Sequence, residues 1–275
     1  MTFLAFHLVS LIVTGTDSRF LFGDAATGWV VVDGEGAVQR RLRKIGGIEP
    51  TDATISRDGR RWAVVVAAAE RDRPQLRLLD AAEGPWRTVE SKGNVLDGVA
   101  FSDDSEWVYF SANDENQPRF DNQPMKYAQI YRVRFITGGV ERLSMVKGCQ
   151  MWPRPKGRDI VVSHSNCAGG GRALEIVTHA RRRILIPDAA AVGEAAANGS
   201  QTKVFYFVTE GTVTELRTWD LSSGASQKWG AVLIESMRTR PQWVGDAVLF
   251  QNKQRLWVVS DLREPTEVAR LGGEL

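Results

Sequence analysis

Histidine and cysteine are nearly missing from this chain: three His and two Cys in 275 residues. A His-centred triad or metal cluster would have to gather His7, His164 and His179 from distant segments, which argues against both. Two cysteines are too few for a disulfide framework, and the spacing of Cys149 and Cys167 matches no common zinc pattern. Charge of one sign is lacking too. With 35 basic against 33 acidic residues the net charge is +2, so no global field draws nucleic acid or an acidic membrane. No apolar run reaches the 18 residues that a membrane-spanning helix requires. The Gly-x-Ser-x-Gly elbow and the Gly-Lys-Ser/Thr phosphate loop are both absent. Gly169-Gly170-Gly171 has no helical segment behind it to cradle a phosphate.

What the chain does have is repetition. The stretch Ile55-Ser56-Arg57-Asp58-Gly59-Arg60-Arg61-Trp62-Ala63-Val64-Val65 reads as strand, polar turn, strand. The figure returns at 99–110, and weaker copies stand at 16–22, 154–162, 198–207 and 243–250. Asp-Gly and Asn-Gly tolerate the positive φ of tight hairpins, and the flanks alternate or are β-branched. With Ser18, Gly59, Ser105, Gly157, Gly199 and Gly245 as markers, the intervals are 41, 46, 52, 42 and 46 residues. That is the period of a four-stranded propeller blade. Two further strand signals follow most markers, as Gln75–Asp80 and Trp86–Val89 follow Gly59. The expected fold is therefore all-β: one six-bladed β-propeller domain over 1–275, with blades at about 1–45, 46–92, 93–145, 146–188, 189–232 and 233–275. A generic sandwich would not require six copies with one internal order. Nine Trp residues suggest one aromatic packing position reused from blade to blade.

Phe3 to Val13 is apolar, but no Lys or Arg precedes Arg19, and a secretory signal would carry a cationic n-region. The turn at Asp17-Ser18 follows directly, so Phe3–Val13 is read as the innermost strand of the first blade. The compartment is left open.

Blade three, with Phe101-Ser102-Asp103-Asp104, Val108-Tyr109-Phe110-Ser111, Gln129-Ile130-Tyr131-Arg132-Val133, Gly138-Gly139 and Glu141-Arg142-Leu143, resembles the propeller repeat of the TolB family. The prolyl oligopeptidase and dipeptidyl peptidase group shares that repeat. The resemblance is strong over 50–145, and beyond it only the period carries on. TolB adds an α/β domain before its propeller and the peptidases add a hydrolase domain. The six repeats take up this sequence, so neither is expected here. The resemblance implies a non-enzymatic scaffold that grips a protein or peptide. From charge and hydropathy no nucleic-acid partner and no membrane insertion are expected, and the chain is expected to be a monomer. The alternatives are a metal-dependent propeller hydrolase or lyase with its site in the central channel, and an accessory subunit of an enzyme on another chain.

In a propeller, the loops from each outermost strand to the next innermost one share a face with the loops between second and third strands. The unusual material falls there. The longest insertion, Asn113 to Lys126, is polar and embeds Arg119-Phe120-Asp121. Its Asn113, Asp114, Glu115, Arg119, Phe120 and Asp121 are candidate partner contacts. Asp114, Glu115 and Asp121 could also supply oxygen to Ca²⁺, although without the spacing of a calcium loop. Asp52, Asp97, Trp152, Arg238 and Arg240 stand where innermost strands begin. Arg238 and Arg240, at i and i+2 of a strand, would point one way and form a carboxylate hook, or else remain outward surface charge. No catalytic or metal-binding set is identified, and no cofactor is expected. Cys149 and Cys167 bracket one hairpin. A disulfide between them would close about 17 residues, contribute roughly 3 kcal/mol and imply an oxidising compartment; the alternatives are two buried thiols or a poor zinc site with His164. The basic runs Arg40–Lys44 and Arg181–Arg183 read as outer strands whose charge prevents edge pairing.

Overall fold

The computed structural model describes residues 19–24, 28–33, 37–66, 74–80, 84–90, 93–95, 98–114, 127–146, 148–157, 159–165, 173–178, 181–186, 194–210, 212–234 and 239–270. Every regular element among them is a β-strand, and the strands form six antiparallel sheets in chain order. The first holds β1 (Arg19–Asp24), β2 (Gly28–Asp33) and β3 (Val38–Leu42); the second holds β4 (Pro50–Ile55), β5 (Arg61–Val66), β6 (Gln75–Asp80) and β7 (Arg87–Thr88). In the third the innermost strand comes in two pieces, β8 (Gly93–Val95) and β9 (Ala100–Phe101), both on β10 (Trp107–Asp114), followed by β11 (Ala128–Arg134) and β12 (Val140–Arg142). The fourth comprises β13 (Cys149–Lys156), β14 (Asp159–Ser165), β15 (Ala173–Thr178) and β16 (Arg181–Ile186). The fifth is β17 (Ala196–Ala197), β18 (Lys203–Glu210), β19 (Val213–Asp220) and β20 (Ser226–Val232), and the sixth is β21 (Gln242–Val244), β22 (Ala247–Asn252), β23 (Arg255–Ser260) and β24 (Arg263–Arg270). Phe3–Val13, read as an innermost strand, lies outside the described residues.

The second strand of each sheet explains why the ring closes. Successive side chains of a strand point to opposite faces, and in a propeller both faces meet a neighbouring blade. In β5, Trp62 and Val64 pack toward the first sheet with Trp29 and Val31, whereas Ala63 and Val65 pack toward the third with Val108 and Phe110. In β18, Val204 and Tyr206 meet Val161 and Leu174 of the fourth sheet, while Phe205 and Phe207 meet Val248 and Phe250 of the sixth. Tyr109 and Ile130 join Ile160 and Val162 between the third and fourth sheets. Phe22, Val30 and Val32 join Val244, Leu249 and Leu256 between the first and sixth. Six apolar clusters thus serve six interfaces, which makes the molecule a six-bladed β-propeller. Strands buried on both faces read as continuous apolar runs for this reason.

The expected single tryptophan position is not found. Trp243 lies on the first strand of its sheet, Trp62 and Trp107 on second strands, Trp29 on the middle strand of the three-stranded first sheet, Trp219 and Trp257 on third strands, and Trp229 on an outermost one. Blade-to-blade packing demands apolar volume at each interface, and any large side chain of suitable shape meets it.

The repeated turn is built in one way in three sheets. Ser56 N–H donates to the Arg61 carbonyl at 2.8 Å, and Gly59 N–H donates to the Ser56 carbonyl at 2.8 Å. Ser56 Oγ accepts from Arg61 N–H at 2.8 Å and donates to Asp58 Oδ1 at 2.6 Å. Ser102, Asp104, Ser105 and Trp107 repeat these bonds in the third sheet. In the fifth, Asn198 Oδ1 replaces the serine oxygen and accepts from Thr202 and Lys203 N–H at 2.8 and 2.9 Å. The positive-φ residues of the three turns are Gly59 (75°), Ser105 (58°) and Gln201 (56°). The fifth marker is therefore Gln201 and not Gly199: the side chain of Asn198 fixes the loop, so a non-glycine residue is held left-handed. Gly157 and Gly245 carry positive φ in the hairpins β13–β14 and β21–β22, where Lys156 pairs with Asp159 and Val244 with Ala247.

Burial pushes the Asp58 carboxyl up in pKa, but the Ser56 hydroxyl, the Arg60 N–H and the Arg60 and Arg61 guanidiniums outweigh it and hold the group below its ordinary value. Asp104 is held low against the same burial effect by Ser102 and the Glu106 N–H. A carboxyl with a depressed folded pKa stabilises fully above its unfolded pKa of about 3.9, and the gain is lost as pH falls through the folded value. Urea denaturation of Ser56→Ala is expected to show a loss of about 1 kcal/mol, because the part-buried Arg61 N–H loses its side-chain acceptor. The Ser56→Ala/Ser102→Ala variant should also lose less stability than the parent on acidification below pH ~4.

Candidate functional site

The hub of the ring holds a cavity of about 490 Å³. Its rim is made where the strands β4, β9, β13, β17 and β21 turn into their neighbours, by Arg57, Asp103, Lys156, Gly199 and Gly245, together with Arg19 at the start of β1, one from each sheet. Deeper walls include Ala53, Val99, Ala196, Arg154 and Arg240. The cavity therefore lies beside the tight hairpins, at the end of the ring opposite Asn113 and Ala128, the described strand ends of the long insertion.

Two buried ion pairs brace the walls. Arg240 and Asp52 have side chains 4% and 3% exposed and are joined by a direct hydrogen bond from Nη2 to Oδ1. Arg240 Nη1 also donates to the Ala53 carbonyl at 2.9 Å, and its guanidinium lies 5.0 Å over the ring of Trp29. Asp52 Oδ2 accepts from Gly98 N–H at 2.5 Å and Val99 N–H at 3.1 Å. Arg154 donates to the buried Glu194 and, at 3.4 Å, to the Val99 carbonyl. Trp243 Nε1 then bonds the Ala196 carbonyl at 2.8 Å. Followed round, these bonds run from the sixth sheet to the second, third, fourth and fifth and back to the sixth. They form a closed polar belt around the channel.

Arg240 and Trp152 have φ of 43° and 52°, and each precedes a proline. Left-handed backbone at a non-glycine residue costs on the order of 1–3 kcal/mol and persists only where its surroundings over-determine it. For Arg240 those surroundings are the belt. For Trp152 they are Gly98, where an added Cβ would stand 2.6 Å from the Trp152 Cα.

The sequence-derived candidates separate accordingly. Asp52 and Arg240 are brought together. Arg240 precedes β21 instead of lying in it, so strand alternation does not align it with Arg238, and its charge is turned inward to Asp52. Trp152 packs against Gly98 and is not on the cavity wall. Asn113 is not a loop residue: it pairs with Asn94 and Ala128 within β10, and Asp114 ends that strand opposite Gly93. Asp97, Glu115, Arg119, Phe120, Asp121 and Arg238 lie outside the described residues. Arg40 and Arg41 are on β3, the outer strand of the first sheet, and Arg181–Arg183 open β16, the outer strand of the fourth. Sequence reasoning missed Arg19, Arg57, Lys156 and Glu194 as site residues and read Arg154 only as part of a hairpin. One signal was available: Arg154-Pro155 and Arg240-Pro241 both stand just before a two-residue hairpin.

Cys149 begins β13 opposite Ser165 and is disulfide-bonded; the sequence's other cysteine, Cys167, lies outside the described residues. A sulfur so engaged is no zinc ligand. Cys149 Sγ also accepts from Ala128 N–H at 3.3 Å, which ties the fourth sheet to the third.

No protein-family model matches the chain, and no curated protein matches it in sequence. Solved structures do resemble it. TolB from Acinetobacter baumannii superposes with a TM-score of 0.62 at 16% identity, over 88% of this chain and 60% of that one; the chain thus spans well under the whole of that TolB. An oligogalacturonate lyase in complex with manganese gives 0.60 at 13% identity, over 92% of this chain and 74% of the lyase. A chain of the nidogen/laminin complex gives 0.58 at 9%, covering 88% of each. At such identities the likeness concerns the fold, a TolB-like six-bladed propeller.

Two measurements check the belt and the bridge. Asp52→Ala should destabilise by about 3–5 kcal/mol in urea, because it strands a buried guanidinium. Replacing the pair Arg154/Glu194 by Met and Leu should restore most of what either single change costs. The same exchange at Arg240/Asp52 should restore only part, since the Gly98 and Val99 N–H groups also lose their acceptor. Thiol titration of denatured, unreduced protein should find no free thiol, and reduction should lower stability by roughly 3 kcal/mol.

Proposed function

We propose that the protein is a non-enzymatic scaffold that binds a protein or peptide segment at the hub of the propeller. The observation that carries this reading is the cavity: all six sheets contribute to its rim, and the buried belt fixes its walls before any partner arrives. A preorganised, partly apolar pocket of this size is suited to binding, since little ordering remains to be done on association. The TolB and nidogen/laminin neighbours support the reading, the latter being solved as a protein complex.

The alternative is a metal-dependent lyase, as the manganese-bound neighbour is. The lining weighs against it. Asp103 is the one acidic residue among the described lining residues, and its carboxylate is already held by Lys156 and the Gly157 N–H. Among the described residues, no three His, Cys, Asp or Glu side chains converge.

Gly199 supplies the test. It is on the rim, its φ is not left-handed, and a Cβ there would meet nothing within 4 Å. Gly199→Trp should melt with the parent protein while obstructing the cavity. Affinity purification from the native host should then recover a partner with the parent and lose it with Gly199→Trp. Equal recovery would remove the hub from the binding site, and stoichiometric metal in the purified protein would favour the lyase reading.

A further inference from the structure

Asn198-Gly199 is the one Asn-Gly step in the sequence, and it gives its turn a chemistry that the other two lack. Where the second and third sheets hold Ser56 and Ser102, the fifth holds a carboxamide, an acyl group open to attack by a nitrogen. Asn198 Oδ1 accepts from Thr202 N–H at 2.8 Å and from Lys203 N–H at 2.9 Å. Asn198 Nδ2 donates to Ser200 Oγ and Thr202 Oγ1, both at 3.0 Å, and those hydroxyls lie 2.9 Å from each other. Backbone donors at one atom and hydroxyls at the other fix which is the oxygen. Two backbone N–H groups on a carbonyl oxygen are the arrangement that stabilises the oxyanion of acyl transfer. Hydroxyls at the nitrogen can hand it a proton as it leaves.

The nucleophile is the next residue of the chain. Among the described residues nothing accepts from the Gly199 N–H, and the residue is exposed. Glycine has no Cβ to hinder the approach, and nothing lies within 4 Å of where one would stand. We propose that Asn198 is a self-modification site, at which the folded turn promotes ring closure onto Gly199 and then opening to aspartate and isoaspartate. In the first step the Gly199 nitrogen forms a bond to Asn198 Cγ and the Cγ–Nδ2 bond breaks. The proton of the Gly199 N–H leaves with Nδ2 as ammonia. In the second step water adds across one of the two imide C–N bonds. Opening at Cγ gives aspartate, whereas opening at the main-chain carbonyl leaves Gly199 joined through Cγ as isoaspartate. No oxidant or reductant is involved. Either product sets a carboxylate beside Gly199, the fifth sheet's share of the hub rim. Isoaspartate also lengthens the backbone of the loop that holds Gln201 left-handed at a φ of 56°. The modification would therefore alter the mouth of the hub with age, whatever the hub binds.

The test incubates the folded full chain at mildly alkaline pH beside a synthetic peptide of residues 196–203. Conversion is read by mass after digestion, and isoaspartate by enzymatic methylation. The folded chain should convert at Asn198 about tenfold faster than the peptide, as an oriented oxyanion site requires. Ser200→Ala should slow the folded chain and leave the matching peptide unchanged, because only the fold holds the hydroxyl against Nδ2. Gly199→Ala should slow both, since a methyl group then hinders the attacking nitrogen. Both substitutions are at exposed positions, and circular dichroism checks that each chain is folded. A folded chain that converts no faster than the peptide, or a Ser200→Ala chain that keeps the parent's rate, would overturn the proposal.

Discussion

The carboxylate of Asp52 is the constraint on which the hub depends. It takes hydrogen bonds from the backbone of its own strand and of the third sheet, and from the Arg240 guanidinium of the sixth. A charge so far from water is costly, and the cost is offset only while every partner stays in place. Apolar clusters between blades are less demanding, since a side chain can shift or be exchanged if volume is kept. The clusters therefore give the ring its cohesion, and the belt fixes how its inner edges stand relative to one another. Arg240 also reaches past the first sheet to the second, stacking on Trp29 on the way. The first blade is thus clasped between its neighbours at the hub as well as packed between them.

Much of the fold was legible because the hairpin states its own chemistry. A serine or asparagine that accepts backbone N–H groups, followed three residues later by a left-handed residue, can be seen in sequence as Ser56–Gly59 and Ser102–Ser105. The fifth copy was misplaced by two residues because its left-handed residue is Gln201, and glycine was taken as the mark of positive φ. The innermost strands were harder to see. β9 and β17 are two residues each, too short for alternation to register, and Gly98 with its positive φ of 78° breaks the third one where it meets Trp152. The tryptophans misled for the opposite reason. Their abundance is real, but interfaces select volume, and volume carries no positional period.

The site was legible only at the level of single residues. Asp52 and Arg240 drew attention because they stand at the starts of innermost strands, yet their partnership spans 188 residues and no spacing rule connects them. Arg154 and Glu194, 40 residues apart, pose the same difficulty. Sequence reasoning also favoured the long loops over the short hairpins, because length is visible and direction is not. Antiparallel strands put tight turns at one end of the channel and long connections at the other, and the described cavity opens at the turns.

That geometry separates two uses of arginine that composition cannot tell apart. Deep in the channel each guanidinium is committed to a buried carboxylate, so its charge is spent on holding blades together and little field leaks into the cavity. At the rim Arg19 and Arg57 are exposed and stand outside the belt. A ligand at the rim therefore meets solvent-facing side chains mounted on a fixed frame. Binding there should leave the ring unstrained, whereas a mutation in the belt should alter both stability and binding. A change at the open rim position Gly199 should alter binding alone, and the two roles can be separated by measuring both quantities on the same variants.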